Sequence, residues 1–321
     1  MAGQNTNTDW QSSLFAVTLD QYKEELTNNF FDARPALKLI RAKSKVGARK
    51  SGGNLIVPLM VGDNDSAKSY NGYDSFDLDP QKGFVDASVQ LTNYGVPVVI
   101  SDEELDINNG KEQVVSILSS KIMQAEMSIT NNVGNHLFLD GTGNGGKNIL
   151  GFGAMCEETA TPGEYMNYTD ATNWVNQYQT GSQGEIIDKM DALYRSISDG
   201  VDKTDIIVCS SEFLAQYEAA CRTAGISTIA YPNASNADAG FADAHYKGIP
   251  IVIDKAIDDS DTAGKGKAYF LMSKYLGLYM EAPVAGKMIP IADSFAQVSK
   301  IKTRLQLFTS RRNRQGVIVL S

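Results

Sequence analysis

From Lys111 to Phe138 the apolar residues Val115, Leu118, Ile122, Ala125, Ile129, Val133 and Leu137 recur every three or four positions, which lines them along one stripe of a single helix. Lys121, Gln124, Ser128, Asn131 and Asn135 fall on the opposite side, so the helix is amphipathic and rests one side on a core. Its 28 residues span roughly 42 Å, more than twice the ordinary globular helix. The stretch "DGTGNGGKNILGF", residues 140–152, follows at once. A Gly-rich run in that place reads as a helix stop and a turn.

The same stretch is close to a phosphate-cradling loop, with Gly141, Gly146 and Lys147 at the required spacing. That loop ends in Ser or Thr, because a hydroxyl must reach magnesium, and it follows a buried strand. Here the last position is Asn148 and the preceding element is helical. A nucleotide-binding enzyme using residues 141–148 therefore stands as a minor alternative.

Other chemistry leaves no trace. Of the two histidines, His136 sits in the long helix and His245 in a loop, and no G-x-S-x-G sequence occurs, so a hydrolase triad has no support. Cys156, Cys209 and Cys221 are odd in number and form no paired-cysteine motif, which favours buried reduced thiols over a disulfide framework or zinc site. Asp258, Asp259 and Asp261 lack the glycine and terminal glutamate of a calcium loop and read as a solvated turn. The expectation is no enzyme, no catalytic residue, no cofactor and no metal.

With 42% apolar residues in 321, the chain buries a full core as one large or two ordinary domains. No apolar run reaches eighteen residues and the N-terminus has no basic-then-apolar signal pattern, so a soluble, non-exported protein without a membrane segment is expected. The sequons at Asn167 and Asn233 then carry no meaning.

The net charge of −9 hides a segregation. Arg34, Lys38, Arg41, Lys43, Lys45, Arg49 and Lys50 follow one another with no acid between them, and after Asp293 come Lys300, Lys302, Arg304, Arg311, Arg312 and Arg314. These are thirteen of the 29 basic residues, leaving 16 against 38 acids elsewhere. A nucleic-acid patch is one reading, but aromatic interleaving and a basic overall balance are missing. Solvated faces are the plainer one. Complementary charge between neighbouring copies of one chain accounts for both halves of the asymmetry.

Along the chain, a polar arm with one amphipathic piece, "LFAVTLDQYKEELTNNFF", precedes two strand-like runs, "GGNLIVPLMV" and "GFVDASVQL", separated by about twenty polar residues. The two runs form an extended hairpin with a long polar tip, and an excursion of that length contacts something else. Pro58 argues for an edge position. A third strand, "YGVPVVI", enters a helix with capping-box spacing at Ser101 and Glu104, interrupted at residues 108–110. Residues 151–180 read as irregular, anchored by Trp174. An α/β section follows: a helix with Ile187, Met190, Leu193 and Ile197 on one face, the buried strand "DIIVCS", and a helix with Ser211 as N-cap. Residues 225–247 read as a long loop. The strands "GIPIVID", "KAYFLM" and "LGLYM", a long strand "QVSKIKTRLQLFTS" and a last strand "GVIVL" complete the chain.

This order of elements resembles the tailed-bacteriophage major capsid proteins of the Hong Kong 97 type. "DGTGNGGKNILGF" is similar to the Gly-rich end of that family's spine helix, and "GIPIVID", "YFLMSKYLGLYM" and "RRNRQGVIVL" are similar to its terminal strands. The resemblance implies an α+β capsid fold: an N-arm at residues 1–45, an extended E-loop hairpin at 46–93, a peripheral domain with the spine helix at 94–150, an axial domain at 151–285, and return strands of the peripheral domain at 286–321. It implies pentamers and hexamers in an icosahedral shell around double-stranded DNA bound without sequence specificity. Scaffolding, portal and decoration proteins are the further partners it implies, and the virion, assembled in the host bacterial cytoplasm, is the location. No scaffold-like helical segment precedes the arm, so scaffolding is expected from a separate protein or not needed. An encapsulin-like compartment around a cargo enzyme shares the fold and remains the alternative. Expected subunit contacts are the hairpin tip (Lys68, Tyr70, Tyr73, Phe76), the basic arm (Arg41, Lys43, Lys45, Arg49, Lys50) and the terminal cluster (Arg311, Arg312, Arg314). Some members weld subunits by a Lys–Asn isopeptide bond, for which Lys68 and Asn313 are conceivable partners.

Overall fold

The structure, a computed structural model, describes residues 34–44, 48–62, 64, 66–75, 83–107, 117–225, 244–260, 266–281, 284–285, 289–291 and 294–320. The amphipathic piece of the arm, the interruption at 108–110, the loop residues 226–243, and Lys45, Phe76, Asn233 and Asp261 lie outside the described residues. The chain forms two compact units. The smaller takes its described residues from 93–132 and 281–304, and the larger from 34–92, 133–280 and 305–320.

The larger unit is built on a six-stranded sheet. Its order is Gln177–Gly181, Gly316–Leu320, Lys267–Leu271, Ile206–Cys209, Ile249–Ile253 and His245–Tyr246. Ile206–Cys209 and Lys267–Leu271 are buried at every position, as short apolar runs covered on both faces must be. Two amphipathic helices, Ile186–Ile197 and Ser211–Ala224, supply Ile186, Met190, Leu193, Ile197, Phe213 and Tyr217 to the core over the sheet. Two sequence expectations shift by one residue here. The first helix starts its buried face at Ile186, ahead of Met190, Leu193 and Ile197, with Ile187 only partly covered, and the N-cap of the second is Ser210, whose Oγ accepts from Phe213 N at 3.2 Å. Gly225, at φ +66°, closes that helix in the left-handed region.

A nine-residue helix, Pro35–Lys43, buries Ala36, Leu37 and Ile40 in the same unit. The buried carboxylate of Asp254 accepts from Ala36 N at 3.2 Å and from Ala256 N at 3.0 Å. One side chain thus caps this helix and the short helix Lys255–Ser260, with Arg34 3.7 Å away as its counterion. The solvated acidic turn expected at Asp258 and Asp259 is therefore helical: with its first N–H groups capped, the segment continues as a turn of helix.

The smaller unit holds the strand Thr92–Ser101, the helix Asp102–Ile107 and most of the long helix, described over Ile117–His136. The capping box forms as spaced: Ser101 N donates to Glu104 Oε2 at 3.2 Å and Glu104 N to Ser101 Oγ at 3.1 Å. One strand, Ala296–Thr309, belongs to both units. Its residues 297–302 pair antiparallel with Val284–Ala285 and Ile289–Pro290, Thr92–Ser101 also pairs with it, and residues 305–309 pair with Leu276–Met280. The segment 286–321 is thus not a single return to one domain. Its last strand sits inside the six-stranded sheet, parallel to Gln177–Gly181 and antiparallel to Lys267–Leu271, because GVIVL is apolar throughout and needs cover on both faces.

Beyond His136 the Gly-rich turn reverses the chain. Ala125, Ile129, Val133 and Leu137 are buried as the stripe requires. Gly141, Asn144, Gly145 and Gly146 all have positive φ, and Phe152 N returns to donate to Leu137 O at 2.7 Å. Phe138, Phe152 and Tyr269 then close a trio with ring centroids 5.6 to 5.7 Å apart. At Gly151 the returning backbone lies so close that an added Cβ would sit 2.2 Å from Leu137 O. Backbone on both sides leaves nothing to give way. Gly151→Ala is therefore expected to lower subunit stability by about 3 kcal/mol, whereas Gly53→Ala, in open space, stays within about 0.5 kcal/mol, both read from urea unfolding midpoints.

Candidate interaction surfaces

The hairpin forms with Asn54–Met60 and Phe84–Gln90 antiparallel, in a register that puts Leu55 opposite Val89, Val57 opposite Ala87 and Met60 opposite Phe84. Alternation sends Leu55, Val57, Leu59, Ala87 and Val89 inward to buried positions. The outward face carries Met60, 71% exposed, and Phe84, 80% exposed, side by side at the far end. The short strand Arg49–Ser51 covers Asn54–Met60 only as far as Ile56. Pro58 thus lies where this strand has a single neighbour, in keeping with its lack of a donor.

Beyond Met60 the tip is held by local bonds. Ser66 N donates to Asn64 Oδ1 at 2.9 Å, Asn71 N to Asp74 Oδ2 at 2.9 Å, and Lys68 Nζ to Ser75 O at 2.6 Å. Tyr70 and Tyr73 are exposed, Tyr73 fully. The hairpin thus carries an exposed apolar pair and two exposed tyrosines, the residue types enriched where proteins associate.

The basic residues divide sharply in role. Arg41 on its helix and Arg49 and Lys50 on their strand are exposed, with Lys50 Nζ 6.0 Å from the Tyr279 ring centroid. Lys43 turns inward to donate to Asp205 O at 2.8 Å. Arg311 is exposed and lies 4.9 Å from the Tyr275 ring centroid. Arg312 corrects the sequence reading: it is completely buried and cannot meet a neighbour's acidic surface. Its Nε donates to Met155 O at 2.9 Å, one terminal nitrogen to Gly163 O at 2.6 Å, and the other to Ala154 O and Glu157 Oε1, each at 2.9 Å. Five donors in a rigid fork suit that set of acceptors. Arg314 is mostly enclosed, with one terminal nitrogen on Ile197 O at 2.9 Å and the other paired with Asp199. Of the terminal cluster only Arg311 is on the surface. No spacing in the sequence separates the three, because the acceptors of Arg312 lie 149 to 158 residues away in the chain.

The nucleotide reading fails on context. Gly141–Lys147 follows a helix instead of a strand, opens no regular helix, and leaves Lys147 exposed. An open cavity of about 470 Å³ lies in the larger unit, lined by Met60, Gly62, Tyr168, Trp174, Arg311 and Asn313 among others. Lys68 is placed in the tip and Asn313 at this cavity. Among the described residues no group of three or more His, Cys, Asp or Glu is arranged to hold a metal ion, and no helix is long and apolar enough to cross a membrane. All three cysteines are buried and none forms a disulfide. Burial pushes the Cys156 thiol up to about 12, against a smaller downward pull from Arg312, and raises the Tyr165 hydroxyl as well.

No protein-family model matches the chain, and no curated protein matches it. Solved structures match almost end to end. A chain of the cyanophage A-1(L) capsid asymmetric unit is 15% identical with a TM-score of 0.66, over 93% of this chain and 95% of that one. The capsid of an empty GTA particle is 13% identical with a TM-score of 0.60, over 97% and 98%. The holo-SrpI encapsulin complex of Synechococcus elongatus PCC 7942 is 12% identical with a TM-score of 0.57, over 94% of both. At such identities the likeness is one of fold.

Removal of the buried guanidinium leaves three carbonyls and a carboxylate without their donor. Arg312→Ala is expected to cost about 3–5 kcal/mol, against no more than about 1 kcal/mol for Arg311→Ala, in urea unfolding of the subunit. Alkali tests the same region. The unfolded thiol ionises near 9.0 while the folded one stays neutral up to about 12, so this contribution to stability is complete below pH 9 and declines from there to about 12. Unfolding midpoints taken across that window check the sign.

Proposed function

We propose that this chain, whose fold is that of the Hong Kong 97-type phage capsid subunit, is a structural major capsid protein. It assembles as pentamers and hexamers into an icosahedral shell around a phage genome. The observation that carries the reading is the near-complete structural coverage of capsid subunits in both directions, joined to a hairpin that leaves Met60 and Phe84 uncovered in the single chain.

In this reading residues 1–45 act as the N-arm, the hairpin within 46–93 as the E-loop, the long helix within 94–150 as the spine of the peripheral domain, and 151–285 as the axial domain. The return strands of the peripheral domain end at residue 304, before the last strand enters the larger unit's sheet. The shell draws its stability from many modest interfaces per subunit. It encloses double-stranded DNA without reading its sequence and takes scaffolding, portal and decoration proteins as partners. It belongs to the virion, forms in the host bacterial cytoplasm, and needs neither catalysis nor a membrane. The encapsulin likeness supports a second reading, a compartment around a cargo enzyme; the contents of purified particles separate the two.

Electron microscopy with sedimentation of the purified chain tests the proposal. Uniform polyhedral shells, or rings of five and six, are expected. Deletion of residues 63–80 is expected to leave a folded subunit that assembles poorly. Phe84→Asp, at an exposed position, is expected to change subunit stability by less than about 0.5 kcal/mol while reducing the particle fraction. Normal particles from both variants would remove the hairpin from the assembly surface.

A further inference from the structure

We infer that the open edge of the strand Asn54–Met60, with the cavity beside it, is a docking site for an extended, acidic segment of a different protein. The site belongs to the single chain, so it goes beyond the shell reading and does not rest on it. The direction of each backbone group on this strand follows from its neighbours. Leu91 N donates to Gly53 O at 2.8 Å and Val61 N to Gly83 O at 2.9 Å, so the odd-numbered residues turn their backbone groups to the strand Phe84–Gln90. Ser88, opposite Ile56, donates its N–H the other way, to Met166 O at 2.9 Å. An antiparallel ladder alternates in this manner along its length. Asn54, Ile56, Pro58 and Met60 therefore turn theirs to the opposite edge, where Arg49–Ser51 pairs only as far as Ile56. Pro58 O and both backbone groups of Met60 face that edge, with no strand beside them among the described residues.

The cavity of about 470 Å³ lies at this end of the strand, with Met60 and Gly62 in one wall and Trp174, Ser310, Arg311 and Asn313 in the others. A volume of that size takes a segment of about three residues. Arg311 supplies the charge. Its guanidinium lies 4.9 Å from the Tyr275 ring centroid, and the Tyr275 hydroxyl donates to Asp202 Oδ2 at 2.7 Å. Lys274 Nζ already pairs with Asp202, at 2.9 and 2.7 Å from its two oxygens. Arg311 thus forms no ion pair among the described residues. Stacking on a ring fixes the plane of a guanidinium and leaves its N–H edge for a carboxylate.

These groups select the occupant. The edge offers two carbonyls and one N–H, because Pro58 has no donor. Two copies of an edge with surplus acceptors match poorly, and every described strand of this chain is already paired within its own sheets. A second copy is disfavoured on both counts. A free small anion satisfies Arg311 alone and leaves the edge bare. An extended segment of another protein satisfies both: it continues the sheet where Arg49–Ser51 stops, giving N–H groups to Pro58 O and Met60 O and a carbonyl to Met60 N. An acidic side chain on it meets Arg311, and an apolar one covers Met60, 71% exposed. Opposed charge of this kind fixes partner and register more than it adds raw affinity.

The probe is a synthetic peptide, acetyl-Val-Glu-Val-Glu-Val-amide, titrated calorimetrically into the full-length chain in low salt. A dissociation constant of about 0.1 mM is expected, and no binding below about 1 mM overturns the inference. Two further peptides separate the contributions, one with lysine in place of glutamate and one methylated at its backbone nitrogens. Three variants, Arg311→Glu, Met60→Pro and Met60→Ala, are first checked for folding by urea midpoints. The Met60 N–H makes no bond to the strand Phe84–Gln90, so proline there removes only the outward donor. The lysine peptide, the methylated peptide, Arg311→Glu and Met60→Pro are each expected to weaken binding about tenfold, with Met60→Ala within about twofold of wild type. The lysine peptide on Arg311→Glu is expected to recover to within about threefold of the original pair. Equal affinity for the glutamate and lysine peptides overturns the inference, as does a methylated peptide that binds like its parent, which decides the point even where Met60→Pro fails to fold. Hydrogen exchange over residues 57–62 gives the last arm. Slowing by the peptide supports the edge as the site; slowing already present in assemblies of the chain alone places a second copy there and overturns the assignment to a different protein.

Discussion

The buried guanidinium of Arg312 is the interaction that orders residues 154–163 of the larger unit and, through them, the mooring of the hairpin. It binds the carbonyls of Ala154, Met155 and Gly163 and the carboxylate of Glu157, which also accepts from Gly163 N. A segment with little regular structure is thereby given one conformation. Next in the chain, Tyr165 accepts from Trp174 Nε1 at 3.0 Å and lies under the guanidinium at 5.4 Å. Met166 and Asn167 follow in the left-handed region, at a cost of roughly 1–2 kcal/mol each. That strain has a use: Met166 O, so presented, accepts from Ser88 N of the hairpin at 2.9 Å, and Asn167 Nδ2 donates to Ser88 Oγ at 3.2 Å. The projecting hairpin is moored through a chain of contacts that begins at a side chain more than two hundred residues away.

The local features of this fold were legible because they depend on neighbours in sequence. The stripe of the long helix, the reciprocal bonds of Ser101 and Glu104, the hairpin around its polar tip, Pro58 at an edge and the burial of Trp174 all follow from spacing and residue type. So does the fourteen-residue strand near the end of the chain. The misses share a cause. Arg311, Arg312 and Arg314 look alike as a basic cluster, and only the position of Met155, Gly163 and Ile197 in space turns two of them inward. GVIVL reads correctly as a buried strand, but its place between Gln177–Gly181 and Lys267–Leu271 is a matter of topology that no periodicity encodes.

A glycine illustrates how a motif gains its meaning from packing. "DGTGNGGKNILGF" invites a phosphate-binding reading because its glycines are correctly spaced. In the structure they serve two mechanical ends: Gly141, Gly145 and Gly146 take positive φ to reverse the chain, and Gly151 lets backbone pass backbone beside Leu137. Phosphate cradling requires the same freedom but adds a strand before and a helix after. The preceding element, and not the glycines, discriminates between the two.

A subunit that must be stable alone and still associate has to keep its binding groups out of its own core. This chain does so by pairing each buried charge within itself, Arg312 with Glu157 and Arg34 with Asp254, while leaving outward only groups that water tolerates. Charged side chains at a strand surface cost the free subunit almost nothing, and exposed apolar side chains such as Val201, Phe295 and the adjacent Met60 and Phe84 remain in water until something covers them. Individually such contacts are weak. In the proposed shell such contacts, repeated around a closed symmetric ring, would add. Weak, complementary and reciprocal contacts therefore allow errors to dissociate before closure, which contacts made strong enough to hold a single pair would prevent.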